Sequence, residues 1–380
     1  MKTEAAKSIF FCFSNSNWFG LPNRDQHIAY HIAKHGYYAL FIEEIPSLAM
    51  KIKSALKSNV GIQPFYSEIP KKLEIVKPHI IPTYFRSSFS QSIDKIITGS
   101  WFNKKIKPKL GEYNVAIIST PIWFFLLGAA IDYFDIVIYD IYDDLKVSAR
   151  NNHALRYLKR SEQMGIKKCD FVICSSPGLQ KYIKEEYALD PFLIRNAIDS
   201  NFFFEDVPGR ESKNIIGIVG LLDIQPDKYN FDLLEIIIKK FLNYEVVVVG
   251  RMTINQIKHF SKFPNFKFNG IKKNNDLRKE IAEMTVCLIP FLSNTITESV
   301  NPLKLYEYLA FGKPVVATNN FDFGDSKDLI YLAENNQDFI QKIETALKEN
   351  NVEKKHHRMN WARHNTWDQR IIQILNLLRL

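Results

Sequence analysis

The stretch Ile289-Pro-Phe-Leu-Ser-Asn-Thr-Ile-Thr-Glu-Ser-Val-Asn-Pro-Leu-Lys-Leu-Tyr-Glu-Tyr-Leu-Ala-Phe-Gly-Lys-Pro-Val-Val316 decides the fold. It reads as an apolar strand ending at Pro290, a polar loop, a helix opened by Pro302 and stopped by Gly312, and then a second strand. Proline suits a first helical turn because the amide it lacks would have no partner there, and glycine suits the exit because it turns left-handed without strain. Strand, helix and strand in succession form one crossover of a parallel sheet. The helix N-terminus then lies at the carboxyl end of the strands, where open α/β sheets take their ligands. Its free amides and dipole attract an anion, and Lys304 adds a full charge in the first turn. Glu307, three residues on, shares the face of Lys304 and can accept hydrogen bonds from vicinal hydroxyls such as those of a ribose. Together they describe a grip for a nucleoside diphosphate.

Working outward, the same alternation runs through most of the 380 residues. Strands are expected at Ser8–Phe13, Tyr38–Ile42, Val115–Ser119, Ile136–Tyr139 and Phe171–Ser175, then at Ile215–Val219, Glu245–Val249, Val286–Pro290 and Pro314–Ala317. Amphipathic stretches such as Asp25–Lys34, Phe231–Phe241 and Leu303–Phe311 supply crossover helices between them. The reading is an α/β chain with two Rossmann-like, doubly wound domains facing across an interdomain cleft. The polar string Asp206–Lys213 marks the boundary, giving domains 1–206 and 207–360. The segment 361–380 is expected to pack back on the first domain, because Trp367, Ile371, Ile374, Leu375 and Leu378 form an apolar face that needs cover.

Composition is that of a globular chain, with 46% apolar and 24% charged residues, which excludes wholesale disorder. The longest apolar run, Ile122–Ile131, is about half of what a helix needs to span a bilayer, and the N-terminus does not read as a secretion signal. A cytoplasmic location is expected. Cys12, Cys169, Cys174 and Cys287 lack metal-ligand spacing and read as free thiols. Residues 51–110 hold twelve Lys or Arg against Glu68, Glu74 and Asp94, so the net charge of +9 is concentrated there. Such a block suits an anionic surface. Phe89, Ile93, Ile96, Ile97 and Trp101 recur at helical spacing, and Phe102, Lys104, Lys105, Lys107 and Lys109 follow, so an interfacial helix with a basic flank is expected. No recognised nucleic-acid module accompanies the charge, and nucleic acid is not expected as a partner.

Two further constellations carry chemistry. Tyr139-Asp-Ile-Tyr-Asp-Asp144 follows a buried-looking strand, and Asp140, Asp143 and Asp144 are candidates for a general base that takes a hydroxyl proton. His27 lies in Asn23-Arg-Asp-Gln-His, the opening of an N-capped helix, and is a candidate contact to donor or acceptor.

The run Pro302, Lys304 and Glu307–Val316 resembles the second domain of the GT-B glycosyltransferases, in particular bacterial enzymes of surface-polysaccharide assembly, including the family 4-like and xanthan glucuronosyltransferase branches. Gly217-Ile-Val-Gly220, Trp18–Ala29, Arg195-Asn-Ala-Ile-Asp199 and Ala362-Arg-His-Asn-Thr-Trp367 extend the resemblance over essentially the whole chain. It implies transfer of a sugar from a nucleotide diphosphate-sugar, UDP-sugar first, to a lipid-linked or glycan acceptor, without cofactor or metal. It further implies that Glu307 binds the ribose, Lys304 the diphosphate, and that Gly220 lets the backbone approach the phosphates. The pattern departs at Ser299, where many retaining members carry Glu and where Glu298 stands one step away, and at Leu221, where they carry Arg. Phosphate neutralisation then falls on Lys304, aided by Arg251. In the xanthan-like branch the base is an aspartate after the strand corresponding to Tyr139, which points to Asp143 or Asp144. Two rival readings share the fold: a sugar-nucleotide isomerase of the 2-epimerase type and a non-catalytic binding module. The expected location is peripheral, on the cytoplasmic face of the plasma membrane, held by an anionic lipid surface.

Overall fold

The computed structural model describes residues 8–45, 66, 68–78, 88–144, 146, 149, 151–203, 214–223, 226–272 and 274–380. The chain divides into two compact units, Met1–Arg195 with Ile371–Leu380, and Asn196–Arg370.

In the first unit seven parallel strands are ordered β3-β2-β1-β4-β5-β6-β7. They are β1 (Ser8–Phe13), β2 (Tyr38–Ile42), β3 (Leu73–Val76), β4 (Tyr113–Ile118), β5 (Ile136–Ile141), β6 (Phe171–Cys174) and β7 (Phe192–Leu193). The helices are α1 (Arg24–Lys34), α2 (Ser88–Lys105), α3 (Pro121–Leu127), α4 (Asn152–Ile166) and α5 (Pro177–Tyr187). Central strands of such a sheet are covered on both faces, which is why β1 is an unbroken apolar run rather than an alternation. Phe11 and Phe13 of β1, Ala116 and Ile118 of β4, and Val137 and Tyr139 of β5 point to one face and join Trp123 and Phe124 in a single core. The long apolar run breaks into α3 and a 3-10 turn at Gly128–Tyr133, and its Trp123, Phe124 and Leu126 are buried.

The second unit has six parallel strands ordered β10-β9-β8-β11-β12-β13: β8 (Ile215–Leu221), β9 (Glu245–Arg251), β10 (Phe266–Gly270), β11 (Val286–Ile289), β12 (Val315–Thr318) and β13 (Tyr331–Ala333). Its helices are α6 (Phe231–Lys240), α7 (Ile254–Phe260), α8 (Asn274–Glu283), α9 (Thr295–Glu298), α10 (Leu303–Ala310), α11 (Asn336–Leu347) and α12 (Val352–Arg363), and α13 (Trp367–Leu377) carries the chain back into the first unit. Alternation sorts the strand residues: Val247, Val249, Cys287 and Ile289 pack with Leu305 and Leu309 of α10, while Val246, Val248, Val286 and Leu288 pack with α6 and α11.

The units divide at Arg195–Asn196, earlier than the expected 206, and the string Asp206–Lys213 lies outside the described residues. Hydrogen bonding explains the shift. The Asn196 amide donates to Asn301 Oδ1 at 2.8 Å and its side chain to Asn301 O at 2.6 Å, while Ile198 pairs with Thr366. The return of the tail likewise begins at Ile371 rather than at Trp361, whose indole hydrogen-bonds Asp325 in the second unit.

Candidate functional site

In the second unit, α10 begins at Pro302, whose extended backbone (φ −76°, ψ 123°) caps the helix without a side-chain hydrogen bond. Its first turn therefore keeps amide donors that no capping side chain satisfies. Lys304 Nζ lies 2.9 Å and 2.8 Å from the two carboxylate oxygens of Glu307, a partly exposed ion pair on the helix face. The helix leaves through Gly312 at φ +65°, in the left-handed region where a side chain would be strained.

Two tyrosines that the sequence did not single out fix this geometry. Val219 N–H donates to Tyr308 Oη at 2.7 Å, so α10 is pinned to β8 one residue before Gly220. Tyr308 is fully buried, and burial holds its hydroxyl protonated. The hydroxyl of Tyr229 lies 2.3 Å from where a Cβ on Gly220 would stand, and its pKa is raised by burial. A side chain at 220 would therefore have to displace the Tyr229 hydroxyl. Gly250, opposite Gly220 in the β8–β9 register, has φ +140°, and a Cβ there would meet Gly220 O at 1.8 Å. Arg251 follows, its guanidinium 3.0 Å from Asp223. Glu298 is exposed at the end of α9, and Ser299 closes that helix with its hydroxyl 3.5 Å from Thr295 O. Asn301, also missed, is a buried junction that takes Tyr306 Oη at 3.0 Å besides the two Asn196 contacts.

In the first unit the acidic turn separates into different environments. Asp140 is fully buried, and both its oxygens accept from Arg24 Nε, at 3.0 Å and 2.9 Å. Burial raises the Asp140 pKa against the lowering effect of Arg24. Held in this way, Asp140 is a structural ion pair, and the expectation that it shares the base role is corrected. Asp143 is partly buried, and Asp144 Oδ1 accepts from the Lys146 amide at 3.1 Å and faces its ammonium at 3.2 Å.

The opening of α1 is held by local hydrogen bonds as well. Asn23 and Gln26 form a capping box, and Asp25 Oδ2 accepts from Ser14 Oγ at 2.5 Å and from the Asn15 amide at 2.9 Å. His27 is 5% exposed and packs edge-on against Tyr66, with Nδ1 2.5 Å from the phenol oxygen.

The expected interfacial face needs correction. Trp101 and Phe102 are buried in the core with Trp123 and Phe134, because α2 turns Gln91, Asp94, Thr98, Trp101 and Phe102 inward. The opposite side exposes Ile93, Ile96 and Ile97, at 38%, 73% and 40%. The original set mixed two sides of one helix. Lys104, Lys105 and Lys107 are exposed, Lys107 Nζ reaches Tyr133 Oη at 2.8 Å, and Lys109 pairs with Glu74 at 2.7 Å. Much of the remaining basic block lies outside the described residues. The four cysteines are free, and burial pushes the Cys174 and Cys287 thiols up to about 12, where they are protonated and unreactive.

Residues 213–349 match the family described as Glycosyl transferases group 1. TuaH of Bacillus subtilis (strain 168), assigned to teichuronic acid biosynthesis as a glycosyltransferase, is 25% identical over 310 residues, 73% of this chain and 77% of TuaH. Sucrose-phosphate synthase from Thermosynechococcus elongatus superposes with a TM-score of 0.69 at 13% identity, covering 98% of both chains. Anabaena HepE, solved with UDP and glucose, gives 0.66 at 16% identity over 98% of this chain and 99% of its own. WaaG, a glycosyltransferase of lipopolysaccharide biosynthesis, gives 0.62 at 13% identity over 97% and 99%. Two doubly wound parallel sheets with these neighbours define the GT-B fold. With the group 1 match across the unit that holds Lys304 and Glu307, the chain is a glycosyltransferase enzyme.

Proposed function

We propose that the chain moves a sugar from a nucleotide diphosphate-sugar, with UDP favoured, to a lipid-linked or glycan acceptor in cell-surface polysaccharide synthesis. The observation that carries this reading is the α10 N-terminus, uncapped by a side chain and bearing the Lys304–Glu307 pair inside the matched region. Helix amides and the Lys304 ammonium stabilise negative charge that grows on the leaving diphosphate, and Arg251 supplies a second cation. Because charge neutralisation comes from these groups, the reading needs no metal. Glu307 accepts from the ribose hydroxyls, and Gly220, Glu298 and Ser299 line the donor side. UDP in the HepE structure and the assignment of TuaH support the donor and pathway classes. In this reading Asn196–Arg370 is the donor unit and Met1–Arg195 the acceptor unit.

The acceptor hydroxyl loses its proton to Asp143 or Asp144 as its oxygen bonds to the sugar carbon, while the bond from that carbon to the diphosphate breaks and its electron pair leaves with the phosphate oxygen. His27 contributes a contact near α1. A lipid-linked acceptor calls for a peripheral enzyme on the cytoplasmic face of an anionic membrane. No described helix is long and apolar enough to cross a bilayer, and the exposed isoleucines and lysines of α2 support attachment instead. Calorimetric titration with UDP tests the donor site: Lys304→Met or Glu307→Gln should weaken binding by about 1.5–3 kcal/mol, and unchanged affinity in both contradicts the assignment.

A further inference from the structure

Behind the acidic turn lies a carboxylate that the transfer chemistry does not use. Glu162, on α4, is 3% exposed. Its Oε1 accepts from Tyr139 Oη at 3.0 Å, and its Oε2 accepts from Tyr182 at 2.6 Å, Tyr187 at 2.9 Å and Lys146 Nζ at 2.8 Å. Three phenols and an ammonium thus surround one buried charge. Burial and the Glu162 charge raise the pKa of each tyrosine, so all three remain neutral donors. A carboxylate with this many donors is satisfied where it stands, and an ion held so firmly makes a rigid anchor.

Lys146 is the part that reaches outward. Besides Glu162, its ammonium contacts Tyr182 Oη at 2.7 Å, lies 3.9 Å from that ring's centroid, and faces Asp144 Oδ1 at 3.2 Å, while its own amide donates to the same oxygen. Both Lys146 contacts to Asp144 fall on Oδ1, and Asp144 Oδ2 has no partner among the described residues.

We infer that Lys146, anchored by the tyrosine-caged Glu162, is a positioning residue that holds Asp144 by one carboxylate oxygen and presents the other to the acceptor hydroxyl, which selects Asp144 over Asp143 as the base. The inference rests on the proposed base role of the turn. A carboxylate on an irregular loop would otherwise sample many rotamers, and a base misplaced by an ångström loses much of its rate. The arrangement brings a strand, β5, a helix, α4, and a second helix, α5, to bear on one loop side chain.

The test is a double-mutant cycle on release of UDP from a UDP-sugar, with a bacterial membrane lipid extract as acceptor and rates normalised to folded protein by circular dichroism. Lys146→Met is expected to lower kcat at least tenfold with the donor KM within twofold, and Lys146→Arg to recover most of that loss. In the Asp144→Asn background the same Lys146→Met change should cost nothing further, because a residue acting through Asp144 has nothing left to position. Should Lys146→Met fail to fold, Glu162→Gln, which keeps shape while removing the anchoring charge, takes its place in the cycle. Multiplicative losses, or full kcat in folded Lys146→Met and Glu162→Gln while Asp144→Asn is slow, overturn the positioning role and leave the base intact. If Asp144→Asn itself turns over normally, the choice of Asp144 falls and this inference falls with it, while Asp143 remains as the base. Donor turnover that survives in every variant leaves the transfer reading standing.

Discussion

At the scale of single residues, the same side-chain types serve opposite ends, and environment separates them. Asp140 and Asp144 are four residues apart, yet one is buried against Arg24 and the other is partly exposed beside Lys146. Removing one partner of a buried pair leaves the other charge stranded, so Arg24→Met should destabilise the first unit by about 3–5 kcal/mol. Urea unfolding checks this, and a loss below 1 kcal/mol would mean that water reaches the pair. Gly250→Ala should cost more than the ~1–3 kcal/mol of ordinary overpacking, because it adds a backbone clash to a positive φ. Lys304 and Glu307 were legible in the sequence because their meaning depends only on position in a helix. Asn301, Tyr229 and Tyr308 were not, since their partners at Asn196, Gly220 and Val219 are brought close by the fold rather than by sequence spacing.

At the scale of elements, legibility follows burial. Strands covered on both faces, such as β1, β4, β8 and β11, leave apolar runs that read directly. The strands β3, β7, β10 and β13 were missed, and all four are sheet edges. Phe266-Lys-Phe-Asn-Gly shows why: an edge strand alternates with polar residues and is short, so its pattern merges with loop. Helix α2 failed differently, because both of its sides carry apolar residues and spacing alone does not tell the core-facing side from the exposed one. Its exposed isoleucines give a prediction: Ile96→Glu should reduce co-sedimentation with anionic vesicles at low salt more than Trp101→Phe does, and binding should fall as salt rises. Equal binding by Ile96→Glu would remove α2 from the membrane surface.

A second prediction concerns α12. Arg358 is buried and grips Glu349 at 2.5 Å and 2.8 Å while donating to Leu329 O at 2.8 Å. Burial pushes the Glu349 pKa up, but hydrogen bonds from Arg358 and Tyr331 and the charges of Arg358 and Lys354 outweigh it, leaving the pKa lowered. A depressed carboxylate contributes stability above its unfolded value of about 4.3, and that contribution is lost as pH falls through the folded value. The urea midpoint should therefore drop between pH 6 and pH 3 more steeply in the unaltered protein than in Glu349→Gln. Parallel slopes would contradict the linkage.

At the scale of the whole molecule, two doubly wound sheets, each with its own core, account for nearly every long apolar segment of the chain. A ligand that binds only the folded form adds about 2.7 kcal/mol at a hundredfold excess over Kd, so UDP should raise the melting temperature of the unaltered protein more than that of Lys304→Met at the same concentration. The central claim is sugar transfer from a nucleotide diphosphate donor, and one measurement reaches it directly. The protein is incubated with UDP-, GDP- and dTDP-sugars, with and without a bacterial membrane lipid extract, and released nucleoside diphosphate and sugar product are quantified. Release of UDP that depends on the extract, with the sugar recovered in the lipid fraction, is the predicted result; interconverted donor sugar without release, or no turnover of any donor, would contradict it.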